Sequence, residues 1–357
     1  MSRTNDILEK TKRKEPEAKK WKVVVGIVVG LFVGCLLFCG IWGYVVDPFI
    51  DEYLQNKKDV VAIYDFLELN VGEEETAVYF IGSSLIGHAI DSEEINRLLN
   101  ERGSNVTVYN LGLSASSARQ RSILNQNIID SKPSLVVIGG TYRYTLYNDI
   151  NYERIITVRD DLKISSDSYY LFTSEELAEI NKPYTYFDDK RFVFNALSSY
   201  ILDGDSRINL RSTTDIYTIT KETDWRVKDE FRYSEIDVGM SLGWWAPVIT
   251  DEITQAREAI IYNVNTFKDA GIPVVIINMP LHPLVSEHIT DESRENYFEF
   301  LDSTGAIWYD YEFACQDDKY WYWEGAHIAP ETGAKMFAPQ MAELIIELEE
   351  SNVIHHS

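Results

Sequence analysis

Two serines and one histidine carry the chemistry that can be read from the chain. Ser83 and Ser84 follow the apolar run Phe80-Ile81-Gly82, and His327 stands in the polar stretch Trp323-Glu324-Gly325-Ala326-His327-Ile328-Ala329-Pro330. A serine hydroxyl becomes a nucleophile when a base takes its proton, and histidine is the side chain whose ordinary pKa suits that task. Glu324, three residues before His327, has the spacing to accept the imidazole N–H and stabilise the imidazolium, the orienting part of a triad. Ser83 or Ser84 is therefore expected as nucleophile, with His327 as base and Glu324 as the acid. His88 lies one helical turn beyond Ser84, His282 and His288 follow another apolar run, and His355 and His356 belong to the tail. His282 ends a strand-like run, where it either binds substrate or lines the loop. His282, His288 and Asp291 match no zinc-ligand spacing, so no metal is expected, and serine chemistry of this kind requires no cofactor.

These residues need elements to position them. Short β-rich apolar runs at 77–81, 106–111, 134–139, 273–279 and 306–311 read as buried parallel strands. Helix-like stretches lie between them at 92–102, 116–131, 251–270 and 291–303, and 330–350 closes the chain. Strands alternating with helices predict an α/β fold, a three-layer α/β/α sandwich around a mainly parallel five-stranded sheet. Ligands of such sheets bind at the carboxyl edge, where Ser83 and Ser84 fall. Between the third and fourth strands, 145–250 forms a long insertion rich in Tyr, Trp and charge, a length that points to function. Trp244 and Trp245 close it and offer flat apolar faces on which sugar rings stack, though such residues also serve as packed core. Lys190, Arg191, Arg207 and Arg211 within it either meet an anionic polymer or relieve local repulsion.

The order of these motifs resembles the SGNH/GDSL-type hydrolases, whose blocks are a Ser after the first strand, a Gly after the second, an Asn after the third, and Asp-x-x-His before the last helix. Gly82-Ser83-Ser84 stands for the first block, Asn110-Leu111-Gly112 for the second and Glu324-Gly325-Ala326-His327 for the last, with Glu in place of Asp. The resemblance implies a flavodoxin-like SGNH fold, Ser84 as nucleophile, and an oxyanion hole formed by the Ser84 and Gly112 N–H groups. The third block departs: Gly139-Gly140-Thr141-Tyr142-Arg143 has Tyr142 and Arg143 where the family has Asn and Asp. Thr141, Tyr142 or Arg143 is the expected replacement donor, with Thr141 assigned to the oxyanion hole and Tyr142 and Arg143 to substrate binding.

Within the superfamily the chain is similar to membrane-anchored D-alanyl transfer proteins of the DltD type and to alginate O-acetylation proteins, which work beside a membrane-bound O-acyltransferase. That likeness implies an esterase or acyltransferase acting on acetyl-type or D-alanyl-type esters of a cell-envelope polysaccharide or teichoic-acid-like polymer. Two rivals follow from the same residues. One is a catalytically silent domain that binds polymer or an acyltransferase partner, and the other is a plain anchored carbohydrate esterase.

The N-terminus supports anchoring. Positions 23–46 are 24 residues without a charge, above the ~20 that cross a bilayer as a helix. Positions 1–22 carry eight Lys and Arg against four Asp and Glu, which places this end in the cytoplasm by the positive-inside rule. The expected organisation is a cytoplasmic segment 1–22, a transmembrane helix 23–46, a neck 47–75, an extracytoplasmic domain 76–350 and a tail 351–357. A cleaved signal peptide fits less well, because the apolar run is long and no small-residue cleavage site follows it. The chain carries a net charge of −24 over 357 residues, from 33 Lys and Arg and 57 Asp and Glu, which argues against a nucleic-acid partner. Cys35 and Cys39 lie in the apolar run, leaving Cys315 without an intradomain disulfide partner.

Overall fold

The computed structural model describes residues 21–34, 63, 66–67, 76–113, 116–148, 165–181, 249, 251, 254–322 and 325–354. They fall into two compact units, one containing 21–34 and the other all the remaining described residues. Residues 21–34 are helical with exposed apolar side chains such as Leu31 and Phe32. Among the described residues no helix is long and apolar enough to cross a membrane; positions 35–46 of the expected span lie outside them.

The second unit is built on five parallel strands: β1 (Thr76–Gly82), β2 (Val106–Gly112), β3 (Leu135–Gly140), β4 (Val274–Asn278) and β5 (Ile307–Asp310). Their order across the sheet is β2-β1-β3-β4-β5, each strand pairing in parallel with its neighbours. Among the described residues the helices with full ranges are α1 (Ser84–Ala89), α2 (Ser92–Glu101), α3 (Ala118–Ser122), α4 (Asn125–Asp130), α5 (Ser174–Ile180), α6 (Gln255–Asp269), α7 (Pro283–His288), α8 (Asp291–Ser303) and α9 (Lys335–Glu350). Short 3-10 turns span Tyr142–Thr145, Ser166–Leu171 and Asp318–Tyr320, and one wide π turn, Pro330–Ala334, runs into α9.

Alternation along the strands divides the core in two. Tyr79, Ile81, Val136 and Ile138 face one side, where they meet Ile128 of α4, Val264 and Phe267 of α6 and Phe300 of α8. Val78, Phe80, Val137 and Ile277 face the other, against Ile95 and Leu99 of α2 and Phe337, Met341 and Ile345 of α9. Both faces are covered, which is why the inner strands β1, β3 and β4 read as near-continuous apolar runs, whereas the edge strand β2 leaves Thr107 and Tyr109 half-buried. The fifth differs from expectation. β5 is an edge strand, and its Ile307 is 47% exposed.

Other departures are local. The expected helix at 116–131 is two helices, α3 and α4, separated at Ile123 and Leu124, both buried in the core. α1 and α7 are too short for periodicity to reveal them. The insertion contains α5 and the 3-10 turn Ser166–Leu171 among its described residues. Within the expected neck, Ile63, Phe66 and Leu67 are helical and buried, and Phe66 packs against Tyr79 and Tyr109 at ring distances of 5.6 and 4.7 Å.

Candidate active site

The site forms where β1 and β3 end side by side, the switch point of this strand order, from which one connection leads out to β2 and the next crosses toward β4. Ser83 is the N-cap of α1: its backbone is extended, and its Oγ accepts the Leu85 N–H at 3.3 Å. Ser84 is thereby the first helical residue, in the turn whose backbone N–H groups have no intrahelical acceptor. The structure thus separates the two serines by role. Ser83 caps, while the Ser84 Oγ lies 2.8 Å from Nε2 of His327 across a sequence separation of 243 residues. With the other ring nitrogen protonated, Nε2 accepts the Ser84 O–H, the starting arrangement for general-base activation.

His327 is held by a tight loop. Trp321 and Ile328 form an antiparallel bridge, and the Tyr322 N–H donates to the His327 carbonyl at 3.0 Å. The Gly325 N–H closes a turn onto the Tyr322 carbonyl at 2.9 Å with φ of +64°, a conformation that favours glycine. His88, one turn along α1 from Ser84, is buried with its ring 4.9 Å from that of His327 and edge-on to Tyr322 at 5.5 Å.

A cleft of about 200 Å³ opens over this pair, lined by Ser83, Ser84, Leu85, Ser116, Thr141, Arg143, Tyr144, Tyr147 and His327. Of the expected site residues it brings together Ser84, His327, Thr141 and Arg143. Thr141 is fully buried, and its Oγ1 has no hydrogen-bond partner. An orphaned hydroxyl on the cleft wall is free to bond a ligand oxygen. Arg143 lies over the Tyr147 ring at 5.3 Å.

Three expected residues go elsewhere. The Gly112 N–H donates to Asn110 Oδ1 at 3.0 Å and Gly112 does not line the cleft, so it is not placed as an oxyanion donor. Its small size matters instead: a Cβ there would fall 2.4 Å from the Gly87 backbone nitrogen, so only glycine lets α1 lie directly on β2. Tyr142 is turned into the core rather than toward substrate. Its hydroxyl donates to Glu312 Oε2 at 2.6 Å and its ring lies 4.5 Å from that of Tyr297, while burial and the nearby carboxylate push its pKa far up. His282 is a helix cap: its Nδ1 accepts the Leu284 N–H at 3.2 Å, and its ring is edge-on to Trp321. Burial lowers its pKa, partly offset by Asp318. Glu324, Trp244 and Trp245 lie outside the described residues.

Sequence reasoning missed Tyr144, Tyr147 and Ser116 as cleft residues. The signal was position alone: both tyrosines follow Gly139-Gly140 at the carboxyl end of β3. It also missed Glu312, a fully buried carboxylate that accepts from Tyr142, Ser286 and Arg294 and so ties the turn after β3 to α7 and α8. Among the described residues no group of three or more His, Cys, Asp or Glu side chains is arranged to hold a metal ion.

Among the solved structures similar to this chain are two proteins of related description. A protein from Desulfitobacterium hafniense DCB-2, described as lipolytic and of the G-D-S-L family, is 13% identical, with 76% of this chain and 99% of its own covered at a TM-score of 0.34. A protein from Bacteroides fragilis NCTC 9343, described as an acylhydrolase, is 12% identical, with 81% and 95% covered at a TM-score of 0.34. No family model and no curated protein matches the chain. The chemistry of the site rests on its own geometry.

Proposed function

We propose that the protein cleaves or transfers an ester acyl group through Ser84, with His327 as general base and then general acid. The observation that supports this reading is the 2.8 Å Ser84 Oγ to His327 Nε2 contact at the floor of an open cleft. In the first step Ser84 Oγ attacks the acyl carbonyl while its proton passes to His327 Nε2, and the developing oxyanion meets the Ser84 N–H and Thr141 Oγ1. His327 then protonates the departing alcohol oxygen, leaving the acyl group on Ser84. A second hydroxyl, from water or from an acceptor polymer, gives its proton to His327, attacks the acyl-serine, and restores the free enzyme.

The wider setting follows from the sequence. The uncharged run 23–46 behind a basic N-terminal segment supports a single membrane span with the catalytic unit outside the cytoplasm. In that setting the substrate is a cell-envelope glycopolymer bearing acetyl-type or D-alanyl-type esters, with a membrane-bound O-acyltransferase as partner. Glu324, three residues before His327 in the sequence, is the residue its spacing suggests for orienting the imidazole.

The test is labelling of the full-length chain with a fluorophosphonate, comparing wild type with Ser84→Ala, Ser83→Ala and His327→Ala and locating the adduct by mass spectrometry. An adduct on Ser84 that requires His327 supports the reading. A folded protein that takes no label is instead a silent domain that binds polymer or its acyltransferase partner, a reading favoured by the departure of Tyr142 from the third block.

A further inference from the structure

Arg121 is 3% exposed on α3, and neither Nη1 nor Nη2 has a hydrogen-bond partner. Its guanidinium lies 4.3 Å from the centroid of the Tyr144 ring, and Tyr144 is a wall of the cleft over Ser84. Among the described residues no carboxylate pairs with it, and burial pulls its pKa down to about 9. A buried, uncompensated cation is among the more costly features a fold retains, and this chain has 57 acidic residues from which to supply a partner.

Other arginines in the same unit show that the fold does supply them. Arg119, two residues earlier on α3, has Glu176 at 2.5 Å and the carbonyls of Leu171 and Asn148. Arg294 has Glu312 at 2.8 Å, whereas Arg257, stacked on Phe300, has no hydrogen-bond partner at Nε or Nη2 and only the charge of Asp251 acting on it. Among the buried guanidinium groups described, Arg121 is the one on which no carboxylate charge acts, and it stands behind the wall of the cleft. The cleft lining itself includes Arg143 and, among the described residues, no Asp or Glu.

We propose that the cleft takes an ester whose bound portion carries an anionic group, a carboxylate or a phosphate, with Arg143 on the lining and Arg121 behind the Tyr144 ring as its counter-charges. This rests on the reading of Ser84 as the ester-cleaving serine and narrows it: an acyl group with a free ammonium, such as D-alanyl, is disfavoured next to two arginines, while an anionic polymer or a dicarboxylate half-ester is favoured. Arg121 is buried against the Tyr144 ring, so its field acts on the cleft through a weakly screening medium.

The test compares 4-nitrophenyl butyrate with mono-4-nitrophenyl succinate, neutral and anionic esters of equal acyl length, using the full-length chain in mild detergent. Wild type is expected to favour the succinate ester at least tenfold in kcat/KM, mainly through KM. That preference is expected to fall at least fivefold in Arg143→Gln and in Arg121→Met. Arg121→Met is also expected to keep or raise the thermal midpoint, because it removes an uncompensated buried charge. Competitive inhibition by inorganic phosphate and by succinate identifies which anion the site prefers. Equal use of both esters by wild type overturns the proposal and leaves the Ser84 reading standing. A lowered midpoint with unchanged preference in Arg121→Met makes that residue a structural stacking partner and overturns its part. If neither ester turns over while Ser84 still labels, protection of Ser84 from the fluorophosphonate by phosphate or succinate supports the proposal, and lack of protection overturns it. Absence of both turnover and label overturns the Ser84 reading itself.

Discussion

Asn110 Oδ1 accepts the Gly112 N–H at 3.0 Å, so the amide expected to meet a substrate oxyanion is occupied inside the fold. The other end of the same side chain donates to the carbonyls of Ile86, Gly87 and Ile90 at 3.2, 3.3 and 2.8 Å, closing the C-terminal end of α1 onto β2. One buried amide thus fixes the helix that carries Ser84. Asn110→Leu leaves several buried backbone groups unsatisfied and is expected to cost about 3 kcal/mol, measured by urea unfolding. Because Ser84 rides on α1, the rate of fluorophosphonate labelling falls with it.

Gly112→Ala tests the contact of α1 with β2. The added methyl meets the Gly87 backbone, which cannot rotate away as a side chain would. Overpacking of this kind costs about 1–3 kcal/mol, and a thermal melt is expected to show it. An unchanged midpoint would sink the close-packing account.

Ser83 and Ser84 are expected to respond in opposite ways. Ser84→Ala abolishes labelling and leaves the midpoint nearly unchanged, whereas Ser83→Ala loses the cap at Leu85 N–H, about 1 kcal/mol, and still labels. The reverse pattern would make Ser83 the nucleophile.

Glu312 is the acceptor on which Tyr142, Ser286 and Arg294 converge. Glu312→Gln removes the charge facing Arg294 and is expected to destabilise by about 3–5 kcal/mol. Tyr142→Phe takes one donor away and is expected to cost about 1–3 kcal/mol. Since Tyr142 points away from the cleft, its variant is expected to alter unfolding more than KM.

His282 makes stability depend on pH. Its pKa is lowered in the folded state by burial, so between that value and the ordinary histidine value the unfolded chain binds more protons. Stability therefore rises with pH through this window and falls as pH drops below about 6.5. The stability advantage of wild type over His282→Asn is expected to be largest near neutral pH and to shrink on acidification, followed by urea unfolding at several pH values. A constant difference would contradict the cap assignment.

The inner strands were legible because both faces of a parallel sheet are covered there, which leaves continuous runs such as Leu135–Gly140. The helices that periodicity revealed, α2, α6, α8 and α9, have ten or more residues. α1 and α7, at six residues each, are too short to show a period. β5 was read as buried because its neighbours across the sheet are not written in its own residues.

Taken alone, the sequence determined which residue types stand at which strand ends: serines after β1, a glycine pair and Thr141 after β3, and His327 before α9. Local order decides these, since a strand end and a helix start are set by residues close in the chain. Only the tertiary structure decided which of them meet. Ser84 and His327 are 243 positions apart and touch, while Tyr142, next to Thr141, turns to a carboxylate 170 positions away. Side-chain direction at a strand end is chosen by long-range partners such as Glu312 and Asn110, and no local pattern encodes where those partners will be.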